Sequence, residues 1–348
     1  MNIFLKIEET LQKQLPFVAY RKPNTSVLKG RFQKNNNLIT SINYSESGFI
    51  FAPFDSSEKA IIIPEEQSDF YQEEITLNNN FIDDATYTAD SSSEENHIQL
   101  VKKGVKAIKN KLFKKVVLSR KEKVEVSNFN LIQTFQKLLY NYPTAFVYVW
   151  YHPKVGLWLG ATPEILVSIQ NNQFTTMSLA GTQIYNGTTN VIWQPKEIEE
   201  QQFVTDYIID RLSEICSEIT TSETETIKAG NLLHIRTVIH GNLTTDCSTL
   251  INTLHPTPAV CGLPLMASKQ FITNNENYSR NFYTGFLGEL NLNTNKTISS
   301  ELFVNLRCME VENNTISIYV GGGITKDSDP TKEWEETTAK TITMKKVL

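Results

Sequence analysis

No stretch of the 348-residue chain stays apolar over the roughly 20 residues that a membrane-crossing helix needs. The opening MNIFLKIEETLQKQLPFVAY has acidic residues inside its apolar stretch, which is unlike a secretion signal. It reads instead as an amphipathic helix, with Ile3, Leu5, Ile7, Leu11 and Leu15 available for burial. No block of basic residues occurs and the net charge is −5, so no nucleic-acid or membrane partner is expected. Only four cysteines are present, Cys216, Cys247, Cys261 and Cys308, and none forms a C-x-x-C pair. That excludes a disulfide framework or zinc ribbon and suits small core residues in a reducing cytoplasm. Neither G-x-G-x-x-G nor G-x-x-x-x-G-K-[ST] is found, so the nucleotide-binding folds gain no support.

What is present is an ordinary globular composition, 40% hydrophobic and 20% charged, enough for one large core. Short strands read at Ser26–Phe32, Gly48–Ala52 and Ala60–Ile63, and a polar, acidic surface loop at Asp83–Asn96. A helix at His97–Phe113 leads to a strand at Lys115–Val126, and a helix at Leu131–Tyr140 follows. A meander then runs through Phe146–Tyr151, Val155–Leu159, Glu164–Ile169 and Phe174–Ser178. After a helix from Lys196 to Ile219 come strands at Tyr283–Leu292, Glu301–Val311 and Ile316–Val320. Gly321-Gly322-Gly323 reads as a turn before a last helix, with Asp329 as N-cap and Pro330 at its first position. Consecutive strands and segregated helices predict an α+β fold with largely antiparallel sheet. No internal repeat or long linker divides the chain. We expect one domain over 1–348, residues 1–96 forming a β-rich N-terminal region and 97–348 the motif-bearing region.

Two pairs of glutamates stand out. Helical spacing back from Val204, Ile208 and Leu212 puts Glu200 on the inward stripe of its helix, with Glu197 one turn earlier. Glu333, Glu336 and Lys340 share a face of the last helix. A carboxylate in line with a buried face must find a cation or a proton, and hard oxygen donors suit Mg²⁺. By spacing alone, a solvated helix surface is the better reading of either pair, since charged residues are mostly exposed.

The series KVVLSR (115–120), LGATPEIL (159–166), SLAGTQ (178–183), KEIEEQ (196–201), LHPTPAVCGLP (254–264), VNLRC (304–308) and YVGGGITKDSDPTKEWEETTAK (319–340) resembles the chorismate-utilising enzymes. The likeness runs from about Lys115 to Met344, in that family's motif order. It implies a single α+β domain of antiparallel sheets packed against helices around a central cleft. It further implies that Glu200 and Glu336 bind Mg²⁺ directly, with Glu197 and Glu333 nearby through water. The metal would hold the ring carboxylate of chorismate as a Lewis acid.

By the same resemblance, Lys115 is the base that activates water for attack at ring C2. Glu164 is the acid that protonates the departing C4 hydroxyl. Such a lysine must be made less basic by desolvation and nearby cations, and such a glutamate must stay protonated in apolar surroundings. Arg307 would grip the pyruvyl carboxylate through paired hydrogen bonds, and Gly322 and Gly323 would offer backbone N–H groups to a carboxylate. Gly181, Thr182, Ala259 and Tyr283 would line the substrate. His234 would lie near the leaving hydroxyl, and Lys340 would balance carboxylate charge. His240 and His255 read as ordinary turn residues.

Three positions separate the branches of the family. Members that add ammonia typically carry glutamine where this chain has Lys115. Aminodeoxychorismate-forming members often place a nucleophilic lysine at Ala180, and salicylate-forming members commonly have threonine at Ala259. Together these imply the water-adding, isochorismate-forming branch, serving menaquinone or siderophore synthesis without an obligatory protein partner. A salicylate-forming enzyme is the alternative, then an anthranilate synthase component I, then a non-catalytic chorismate-binding protein. Gln201 and Gln183 depart from the family pattern, at positions where histidine and arginine are frequent.

Overall fold

A computed structural model describes residues 2–76, 87–89, 93–229, 232–294 and 296–348. Two ten-stranded sheets, each antiparallel at every described pairing, pack face to face. Strand Phe17–Arg21 shows why they do. Its side chains alternate, with Phe17 and Ala19 in one apolar cluster and Val18 and Tyr20 in another, and all five residues are buried. Strand Phe146–His152 repeats the pattern, sending Val147 and Val149 outward and Phe146, Tyr148 and Trp150 between the sheets.

The layer between the sheets is therefore aromatic. Phe51 stacks on Phe282 at 4.2 Å, Phe146 on Phe303 at 4.2 Å, and Trp158 on Tyr319 at 5.2 Å. Helices cover the outer faces. Ile3–Gln12, Leu131–Asn141 and the end of Pro330–Lys345 pack on the first sheet, and Pro195–Ser213 and Cys247–Leu254 on the second. Strands before residue 75 pair with strands far along the chain: Phe17–Arg21 with Phe146–His152, and Gly48–Ala52 with Phe286–Thr294.

The α+β expectation holds, and strands Lys115–Val126 and Gly48–Ala52 have the expected bounds. Several expectations do not hold. The helix from Pro195 ends at Ser213, because the β-branched run near Ile219 pairs as strand Cys216–Thr221 with Leu232–Leu243. The expected strand 301–311 is two strands, Thr297–Val304 in one sheet and Cys308–Glu312 in the other. The three glycines 321–323 are not a turn but the end of strand Thr315–Ile324, paired with Ser119, Leu118 and Val117.

Leu5 faces solvent, while Ile3 and Ile7 hold the first helix down. Within the expected acidic loop, 87–89 form a strand and 93–96 begin helix Ser93–Lys109; 83–86 and 90–92 lie outside the described residues. His240 lies within strand Leu232–Leu243, and His255 is buried after helix Cys247–Leu254 with Nε2 3.0 Å from the Pro53 carbonyl. His240 is thus a strand residue and not a turn residue, whereas His255 does lie at a bend, before a cis proline. All four cysteines are free, two buried and two half-buried.

Candidate active site

Two of the places where the chain passes from one sheet to the other are neighbours. Pro163 and Glu164 link strand Gly156–Thr162 to Ile165–Gln170, and residues 305–307 link Thr297–Val304 to Cys308–Glu312. The crossovers are tied together, Val304 N–H donating to the Glu164 carbonyl (2.9 Å) and Ala161 N–H to that of Arg307 (3.0 Å). Arg307 takes a left-handed backbone (φ 48°), an uncommon conformation for a non-glycine residue and one found at functional sites.

A cavity of about 120 Å³ opens at this seam. Its wall brings together Lys115, Glu164, Gly181, Thr182, Glu200, His234, Ala259, Tyr283, Arg307, Gly322, Gly323, Glu336 and Lys340, gathered from ten separate stretches of sequence. Glu197 and Glu333 stay off the wall. Glu197 is occupied at its helix start, accepting from the Gln194 N–H at 2.8 Å in a capping box. Glu333 is buried behind Glu336.

Charges in the cavity are arranged in pairs. Lys115 is only 5% exposed, and its Nζ lies 2.7 Å from Glu200 Oε1. Lys340 Nζ donates to Glu336 (2.6 Å) and to the Gly321 carbonyl (2.9 Å). Burial alone would raise the Glu336 carboxyl, but Lys340, with His234 and Arg307, outweighs it and holds it below the usual range. Glu333 makes no close ion pair among the described residues, and Lys196 and Lys340 pull on it only weakly. Burial and the neighbouring Glu336 push it up to about 7, against a hydrogen bond from Ser328.

Glu164 is the second displaced carboxyl. Burial raises it to about 7, against the pull of Lys115 and Arg307. His234 is driven down to about 4 by burial and then by Arg307, so its ring is neutral. Its Nδ1 lies 2.9 Å from the Gly181 carbonyl, an acceptor, so Nδ1 carries the proton and Nε2 keeps a lone pair. A bulge between Ala180 and Gln183 turns that carbonyl toward the histidine, and Gly181 supplies the φ of 71° that it needs. The Arg307 guanidinium has no hydrogen-bond partner among the described residues, which leaves its fork free for an anion.

The glycine strand runs beneath the carboxylates. A Cβ on Gly322 would come within 3.1 Å of Glu333 Oε2, and one on Gly323 within 3.0 Å of Glu200 Oε1. Three carboxylates thus lie against one bare stretch of backbone. Their hard oxygens, and the raised carboxyl of Glu333 beside Glu336, fit a divalent cation such as Mg²⁺. Among the described residues no three acidic, histidine or cysteine side chains form a ready-made metal cluster. Lys115 and Lys340 neutralise Glu200 and Glu336 instead.

Sequence reasoning missed some of the machinery around the cavity. Gln201, marked only as a departure from pattern, is buried and donates to Ser178, Thr205 and Thr237 at 2.8–3.0 Å. Glu276 and Arg280 form a buried ion pair holding three cavity-lining segments. Arg280 donates to the carbonyls of Val117 and Val260 and to the Thr284 hydroxyl, and Glu276 accepts from Ser119. Their i, i+4 spacing was the available signal.

Residues 49–348 match the family described as chorismate binding enzyme, and the chain belongs to that family. Similar proteins include isochorismate synthase DhbC of Bacillus subtilis, 31% identical over 198 residues (53% of this chain, 49% of that protein). Isochorismate synthase MenF of Escherichia coli is 30% identical over 199 residues (55% of this chain, 45% of that protein). The chain spans about half the length of the curated relatives it matches. In three dimensions it is similar to a putative 2,3-dihydroxybenzoate-specific isochorismate synthase from Bacillus anthracis. The TM-score is 0.82, the identity 24%, and 99% of each chain is covered. Anthranilate synthase component I of Streptococcus pneumoniae shares the fold at TM-score 0.70 and 16% identity, over 94% of this chain and 92% of that one.

Proposed function

We propose that the protein isomerises chorismate to isochorismate, adding water at ring C2 and expelling the C4 hydroxyl. The observation that carries this reading is Lys115 and Glu164 on the wall of one cavity, with Glu164 displaced to about 7. Near neutral pH such a carboxyl still holds its proton and serves as a general acid. Lys115 takes the proton of the attacking water, and Glu164 gives one to the leaving hydroxyl. Neutral His234 offers its Nε2 lone pair to a substrate hydroxyl. Arg307 pairs with the pyruvyl carboxylate, while Gly181, Thr182, Ala259 and Tyr283 shape the ring pocket.

Mg²⁺, held by Glu200 and Glu336 with Glu197 and Glu333 nearby, would neutralise the ring carboxylate and withdraw electron density from the ring. Engaging Glu200 in that way competes with its ion pair to Lys115. Ala180 and Ala259 on the same wall leave no nucleophilic lysine and no threonine at the positions that mark the aminating and salicylate-forming branches. On this reading the product serves menaquinone or siderophore synthesis and is made in the cytoplasm without an obligatory partner; the similar proteins are themselves isochorismate synthases.

The test is chromatography of the products of purified protein, chorismate and Mg²⁺. Isochorismate is expected, with turnover lost in EDTA and restored by added Mg²⁺. Salicylate with pyruvate would move the protein to the salicylate-forming branch. No turnover under any condition would overturn the enzymatic reading.

A further inference from the structure

A second, larger groove adjoins the catalytic cavity. It encloses about 820 Å³ and shares two wall residues with the cavity, Lys115 and Glu200. We propose that this groove is the route by which the anionic substrate reaches the site, with the Lys115–Glu200 ion pair as the partition between them. The inference rests on the proposed function in taking a ring dicarboxylate as the ligand.

Its rim carries Lys109, Lys111, Lys114, Lys196 and Lys326, all exposed, against Glu199 and Asp327. None of the five lysines forms an ion pair with another described residue. Like charges held around one concavity repel, yet they focus the field on an approaching anion. The whole chain carries a net charge of −5, which repels a dianion. A locally basic groove beside the cavity reverses that repulsion where it matters. The floor is apolar: Phe113 and Phe203 line it, and Lys114 Nζ lies 5.3 Å from the centre of the Phe203 ring. A ring with one carboxylate of its own and a second on its pyruvyl ether matches ammonium groups beside an aromatic surface.

Another cavity, of about 200 Å³, meets the catalytic one at Pro163 and Arg307. Its two outer cations are already engaged. Arg236 pairs with Glu225 at 2.7 Å, and Lys228 lies 3.8 Å from the centre of the Tyr185 ring. That leaves the lysine-rimmed groove as the stronger attractor.

The experiment compares Lys111→Glu/Lys326→Glu with Lys228→Glu, measuring chorismate association by rapid mixing across ionic strengths. Both sets of residues are exposed, and a thermal melt confirms that each variant folds. For the double variant we expect association to slow by roughly tenfold at low salt. The gap should close near about 0.5 M salt, where the screening length is only a few ångströms. The maximal turnover rate should stay unchanged, as should association with Lys228→Glu. Unchanged association in the double variant, a slowing that salt does not relieve, or a slowing confined to Lys228→Glu would overturn the proposal. Association is read whatever product forms, so an unexpected product would overturn the proposed reaction and leave the groove's role standing or falling on the rates.

Discussion

Glu164 owes its chemistry to a position that local sequence only hints at. Pro163, Ile165 and Leu166 suggest an apolar setting, but burial at the seam between two sheets is what carries its carboxyl to about 7. Because the pKa is raised, the protonated acid is the form present below about 7, and it is lost as pH rises through that value. The turnover rate should therefore fall above about pH 7, approaching tenfold per pH unit, as expected for loss of one essential proton. Glu164→Gln should remove that limb along with nearly all activity, while Glu164→Asp should keep a descending limb. A pH–rate profile checks both. Lys115→Gln should abolish water addition but still bind chorismate, as calorimetry would show; loss of binding would count against its role as base. The sequence marked both residues through flanking motifs, whereas their burial depends on strands distant in the chain.

The elements differ in how well their sequences announce them. Asp329 and Pro330 set the start of the last helix, and Asp329 Oδ1 does accept from Thr331 and Lys332. Alternation set Lys115–Val126 equally well. The break at 305–307 was illegible because apolar residues lie on both sides of it, and nothing local says that the chain changes sheets there. The glycines 321–323 read as a turn by composition, yet pairing with Ser119–Val117 keeps them extended. Their missing side chains make room for carboxylates, so Gly323→Ala should crowd Glu200 and weaken Mg²⁺ binding at least severalfold by titration calorimetry, with the fold retained. Arg280→Ala should cost about 3–5 kcal/mol in a denaturant melt, the usual penalty for stranding one member of a buried ion pair. Glu276→Ala should do the same.

At the scale of the whole molecule, composition and strand order conveyed the α+β class but not the seam. Two sheets close on an aromatic layer, and the strands that build them come from opposite ends of the sequence. Pairings such as Phe17–Arg21 with Phe146–His152 carry no local signature, so the cavity appears only once the fold is assembled. Ligands that bind the assembled cavity and not the unfolded chain should stabilise the whole protein. Mg²⁺ and chorismate, each at about 100 times its dissociation constant, should each add about 2.7 kcal/mol, seen as a higher melting temperature that EDTA partly reverses.

In the proposed reaction the cavity adds solvent water to a ring carbon while Glu164 releases the old hydroxyl. Turnover of chorismate in ¹⁸O-labelled water, followed by mass spectrometry of the product, tests it most directly. The expected product is isochorismate carrying one heavy oxygen in its ring hydroxyl. Isochorismate formed without the label would contradict that reaction, because the hydroxyl would then have moved without passing through water.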